Sequence, residues 1–384
     1  MQARWKTTTG WVIAAVVAVI LFFAIHGKSN PPPATLAKSS QSFAPKLTHP
    51  MGPAAQVSIP PAGAAAVKPE KLQVCGISDL PPSVGDTVDV ASYVFDRTRE
   101  TYDSWKATLI NGSDARARAV GLSLQRVDDM FAHSLAADTS LEQLVELATT
   151  TRDPAIYRVA VGSCHTGLKD EAPVSLCRHL SLSEWAKLDP DSALPWLATA
   201  AAARNSGDSW AESLAFARAA QAHQVDGNSD SLLASAMDLF PTDATLPERY
   251  SAEIHMWGFE LARSRPDLVE ISRYCTVTAL QQSQVHDQCE AVADLLVDHG
   301  QTLFDLSRGR TLGQLLGWPA GRLDQLVRER NALFEVLTSH VDLEDWSCGR
   351  MARADDLMKR SLQIGELAAL RELQAKKDAT SPSH

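Results

Sequence analysis

The chain has 384 residues, enough for one large domain or two ordinary ones. Hydrophobic residues make up 45% and charged residues 21%, which excludes a wholly disordered chain and a polytopic membrane protein. The formal net charge of −10 argues against broad nucleic-acid binding, and it is uneven: of 36 Lys/Arg and 46 Asp/Glu, residues 1–73 hold seven and one, so the remainder carries −16.

Residues 1–9 read as a short cytoplasmic stub and residues 10–27 as a transmembrane helix. Trp11 to Ile25 is uncharged and apolar. At ~1.5 Å per residue it spans roughly 22 Å, and flanking Thr7, Thr8, Thr9, Gly10 and His26 extend it towards a full crossing. Arg4 and Lys6 precede the run and only Lys28 follows closely, so the positive-inside rule places the following chain outside the cytoplasm. The competing reading is a cleaved leader. Ala24-Ile25-His26 opposes it, because His26 stands where a small residue is needed.

Residues 28–73 are rich in Pro and Ala, lack Asp, and show no apolar period. Pro31, Pro32 and Pro33 open the segment and Pro60, Pro61 and Pro69 close it. This is the composition of a disordered, partly polyproline-like tether.

From residue 74 apolar residues recur at three- and four-residue steps, so residues 74–375 are expected to be all-helical and 376–384 a frayed tail. Val90, Val94, Thr98, Trp105 and Leu109 share one face, as do Val285, Cys289, Val292 and Leu296. The pattern predicts helices near 90–110, 114–137, 139–150, 153–164, 174–188, 191–205, 209–222, 229–240, 246–264, 266–281, 285–299, 302–316, 319–340 and 343–374. Asp114, Ser140, Asp153, Asp191 and Ser283 suit N-caps, and Pro154 and Pro266 suit first-turn positions. No pair of strands is evident. Short helices joined by short loops imply an all-α stack of antiparallel helix hairpins, an α-solenoid of degenerate form.

Residues 189–220 carry a family character. Asp189-Pro190 ends one helix. Ala193, Trp196 and Ala200 line the next, Gly207-Asp208 turns, and Ala217 and Ala220 supply small residues for a close helix approach. This stretch resembles a tetratricopeptide-type repeat, which implies a closely packed helical hairpin. Trp210 needs a one-residue insertion, Ser213 stands where Ala is expected, and no second copy follows at a 34-residue step. The chain as a whole resembles membrane-anchored proteins of Proteobacteria, and that resemblance carries no activity.

All six cysteines follow the tether: Cys75, Cys164, Cys177, Cys275, Cys289 and Cys348. An even number outside the cytoplasm suggests disulfides. Cys164 and Cys177 flank a helix break marked by Gly167 and Pro173, and Cys275 and Cys289 flank a break at Gln282-Ser283. Each pair meets if the chain turns between them, which leaves Cys75 with Cys348. Zinc is the alternative, with Cys164, His165, Cys177 and His179 as ligands and His286 near Cys289. No Cys-x-x-Cys pair supports it. Buried free thiols are a third possibility.

The chain contains no phosphate loop of the Gly-x-x-x-x-Gly-Lys-Ser/Thr type and no Gly-x-Gly-x-x-Gly after a strand. His-Glu-x-x-His and Gly-x-Ser-x-Gly are absent too. Asp226-Gly-Asn-Ser-Asp230 opens like a calcium loop, but Ser231 and Met237 replace the needed Gly and Glu. Glu184, beside Trp185, is the one weak candidate for a glycan-cleaving acid. Trp185, Trp196, Trp210, Trp257, Trp318 and Trp346 suit a core better than a groove. No catalytic residue, cofactor or metal ligand is assigned. The expected function is a non-enzymatic scaffold or adaptor, single-pass in a bacterial inner membrane with its C-terminal domain in the periplasm, that binds a protein or peptide partner. The alternative is an envelope hydrolase on a helical scaffold.

Overall fold

The computed structural model describes residues 74–78, 87–131, 139–165, 174–226, 229–262, 266–342 and 345–380. The apolar run 11–25 and the Pro/Ala-rich segment lie outside these residues. Among the described residues no helix is long and apolar enough to cross a membrane.

The described chain is all-helical, with no strand beyond isolated bridges. Sixteen α-helices follow in order: α1 Thr87–Asn111, α2 Ala115–Phe131, α3 Thr139–Thr151, α4 Pro154–His165, α5 Val174–Cys177, α6 Leu182–Leu188, α7 Leu194–Ser206, α8 Ser209–Ala220, α9 Ser229–Met237, α10 Leu246–Ala262, α11 Pro266–Tyr274, α12 Ser283–Asp298, α13 Leu303–Leu315, α14 Ala320–His340, α15 Cys348–Ile364 and α16 Glu366–Thr380.

Helix starts follow local chemistry. Asp114 Oδ1 accepts from Ala117 N–H at 2.8 Å, and Asp153 Oδ1 accepts from Ala155 N–H at 2.9 Å, so both cap as expected. The other three expected caps do not. Ser140 lies buried inside α3, Ala193 rather than Asp191 precedes α7, and Ser283 is the first residue of α12. Thr302 and Asp305 form a reciprocal capping box at α13.

Three expected elements change. The single helix over 174–188 is two, because Ser181 caps α6 and its backbone N–H donates to Tyr157 Oη at 2.7 Å. The helix over 266–281 stops at Tyr274, and a 3-10 turn, Ala279–Gln281, leads into α12. The stretch 343–374 divides at Gly365, whose φ of +86° an L side chain rarely adopts. The last helix also continues to Thr380, past the expected end of order at 375.

Consecutive helices pair as hairpins: α1 with α2, α7 with α8, α12 with α13, α13 with α14, and α15 with α16. A strictly linear stack would have contacts between sequence neighbours only. Here α9 packs back on α2, α10 on α1, and α15 on both α9 and α10. Trp105 sits in this return layer, 1% exposed, with Phe240 edge-on at 5.2 Å and its indole N–H donating to Ala236 C=O at 3.1 Å. Val90, Val94, Thr98 and Leu109 are buried on the same face of α1, as the spacing predicts.

Candidate functional site

The cysteines form three disulfides, and no described cysteine is free. Cys164 and Cys177 lie 5.9 Å apart at Cα and close the break between α4 and α5. Cys275 and Cys289 are also 5.9 Å apart, across the break between α11 and α12. Cys75 and Cys348 are 4.6 Å apart and 273 positions apart in sequence. A tight turn holds Cys75: Gly76 adopts φ +69°, Ile77 N–H bonds Val74 C=O at 3.1 Å, and Cys75 N–H bonds Trp346 C=O at 2.9 Å. The start of the domain is therefore fastened to the first residue of α15. The two short-range pairs are those that the helix breaks imply and the third is the pair then left, and a bridged sulfur is not available to a metal.

The hairpin α7–α8 is the stretch that resembles a tetratricopeptide unit. Gly207, at φ +78°, closes α7: its N–H bonds Arg204 C=O and Asp208 N–H bonds Ala203 C=O, each at 2.9 Å. Asp208 then caps α8 by accepting from Ala211 N–H at 2.9 Å. Ala193 and Ala200 are buried, as expected. The tight face of α8 differs: Ala215, Phe216 and Ala219 are buried, rather than Ala217 and Ala220.

That shift in register decides which side chains α8 presents outward. Its inner flank is pinned. Phe216 stacks on Tyr274 at 3.9 Å, Ser213 Oγ lies 3.2 Å from Tyr274 Oη, and Tyr274 Oη donates to Gln288 at 2.8 Å. Arg204 joins Glu212 on α8 to Glu270 on α11, with Nε to Glu270 at 2.6 Å. Glu270 is fully buried, and burial raises the Glu212 carboxyl above its usual range despite Arg204. One turn apart on the opposite side, Trp210 is 73% exposed and Leu214 is 46% exposed. Trp185, Trp318 and Trp346 are buried, so Trp210 departs from the core role that the tryptophans suit.

The remaining candidates are committed elsewhere. Glu184 ion-pairs with Arg152 at the surface and does not sit in an apolar cleft. Asp226, first residue of the calcium-like loop, is buried against Arg158. His286, Asp287 and Glu290 bring ligand atoms within 4.8 Å of one another. They lie in the first turns of α12, where the positive end of the helix dipole opposes a cation.

Two buried carboxyls escaped sequence reasoning because they come from helices distant in sequence. Glu253 on α10 and Asp355 on α15 are 2% and 6% exposed and lie close enough for the Asp355 charge to act on Glu253. Lys359 Nζ lies 2.6 Å from Asp355. Burial first, and Asp355 second, push the Glu253 carboxyl up to about 10, so it holds its proton at neutral pH.

No family model, no curated protein and no solved structure matches the chain.

Proposed function

We propose that this protein is an extracytoplasmic helical adaptor, tethered to the membrane by its N-terminal apolar run, that binds a protein or peptide partner on the outer face of α8. The observation that carries this reading is Trp210. It stands exposed on a helix whose opposite flank is fixed by stacking, hydrogen bonds and an ion-pair cluster. A solvent-facing Trp on a fixed helix, with an apolar neighbour one turn away, suits an interface anchor, because little backbone freedom is lost on binding. Three disulfides support an oxidising compartment, where the thiol pairs persist. The bridge from Cys75 to Cys348 suits a domain held by its N-terminal end, since it passes tension from the tether directly into α15.

The test is crosslinking and co-purification of the full chain from native membranes, beside Trp210→Ala. A stoichiometric partner retained by the native protein and lost by the variant is the expected result. Turnover of cell-wall glycan fragments by the purified protein, with no partner recovered, would overturn the reading in favour of a hydrolase.

A further inference from the structure

Many arginines of the described chain are neutralised locally. Arg116, Arg152, Arg158, Arg204, Arg322 and Arg371 each contact a carboxylate. The seam between α13 and α14 breaks this pattern. Arg310 on α13 has a buried Nε with no hydrogen-bond acceptor and no ion pair among the described residues. Arg330 on α14 is half-buried and donates only to its neighbour Asn331, at 2.9 Å. Among the described residues, the acids of these two helices pair with neither arginine. Asp305 closes its capping box and Glu329 pairs with Arg371 at 2.7 Å, while the exposed Asp324 forms no ion pair with either arginine.

Both arginines stand in register with the buried stripes of their helices: Arg310 falls between Leu306 and Gly313, and Arg330 between Leu326 and Leu333. The two helices form an antiparallel hairpin turned at Gly317, φ +76°. Helical side chains lean towards their own N-terminus. On antiparallel helices, Arg310 and Arg330 therefore lean in opposite directions along the seam and converge. Desolvation first, and the charge of Arg310 second, lower the pKa of Arg330. A partly buried cation beside a second cation, without a counter-ion, is a costly arrangement that an anion relieves.

We propose that Arg310 and Arg330 form an oxyanion-binding site on the α13–α14 seam, taking a phosphate or a carboxylate through their guanidinium forks. The site goes beyond the partner-binding reading and does not depend on it, because a free anion suffices to fill it.

The test uses the full chain at pH 7, with inorganic phosphate against chloride at matched ionic strength, and separately with a hexaglutamate peptide. Phosphate is expected to raise the unfolding midpoint. Arg310→Gln and Arg330→Gln should each weaken anion binding by about tenfold or more, the scale of one charged hydrogen-bonded contact. Arg328→Gln, on the exposed side of α14, should leave it unchanged. In chloride, Arg330→Gln should be no less stable than the native chain, because it removes a like-charge contact. Binding of the peptide alone, lost in both variants, would identify protein carboxylates as the natural anion and support the site. Should a variant fold poorly, side-chain NMR of the native chain reads the same contact: Nε–H signals of Arg310 and Arg330 shift with the bound anion and that of Arg328 does not. Binding of neither probe, or binding that survives both substitutions, overturns the site.

Discussion

Glu253 shows how one buried group sets a pH dependence for the whole fold. Its proton is held more tightly in the folded chain than in the unfolded one, where the ordinary value is 4.5. Stability from this group is therefore complete below about pH 4.5 and is lost steadily as the pH rises towards 10. His255 acts in the opposite sense. Packed against Phe95 and Tyr102 with ring centroids at 4.9 and 4.6 Å, its imidazole is held below 6.5 by burial, so its contribution is lost on acidification. The two separate between pH 7 and 9, where His255 stays neutral. Denaturant titrations there should show native stability falling, and Glu253→Gln more stable by on the order of 2 kcal/mol at pH 8 with a flatter profile. Equal slopes for the two proteins would place the titrating group elsewhere. The tryptophans divide at the same scale. Trp105→Ala should cost about 3–5 kcal/mol by emptying a core site. Trp210→Ala should stay within about 0.5 kcal/mol, because solvent already surrounds its ring.

Among the elements, the α13–α14 turn depends on a missing Cβ. A methyl group on Gly313 would lie 2.1 Å from the Trp318 ring, which itself carries Arg322 at 3.5 Å. Gly313→Ala must displace that ring, and the expected cost is about 1–3 kcal/mol, read as a lower thermal midpoint. Gly321→Ala is the matched control, since its Cβ would meet open space. The hairpin α7–α8 makes a related point. Its turn was legible from Gly207-Asp208, yet its tight face fell one position from the expected residues. Small residues are frequent along α8, so composition does not select among Ala211, Ala215, Ala217, Ala219 and Ala220. The aromatic stack between Phe216 and Tyr274 does select, by fixing the rotation of the helix.

For the whole molecule, the three disulfides differ in what they constrain. The pairs Cys164–Cys177 and Cys275–Cys289 close loops of 13 and 14 residues, whereas Cys75–Cys348 closes one of 273. Chain entropy predicts about 3 kcal/mol for each short loop and about 5–6 kcal/mol for the long one. Paired Cys→Ser substitutions compared by urea midpoint should rank in that order. A long-range bridge that cost less than either short one would show that α15 is already held by its packing on α9 and α10.

The sequence by itself determined the helical class, the positions of most helices, the two proline-led starts and the plausible sulfur pairings. Each of these rests on neighbours within a turn or a hairpin, where 3.6-residue periodicity and short connections leave few choices. Tertiary structure alone decided the rest. It returned α9 and α10 onto α2 and α1, brought Glu253 to Asp355, left Trp210 in solvent, and left Arg310 and Arg330 without an ion pair among the described residues. That arginine recurs between positions 308 and 330 was plain from composition alone and drew no reading. Which of those charges would find a carboxylate was not, because that depends on how each helix is rotated about its axis, and packing with distant partners sets that rotation.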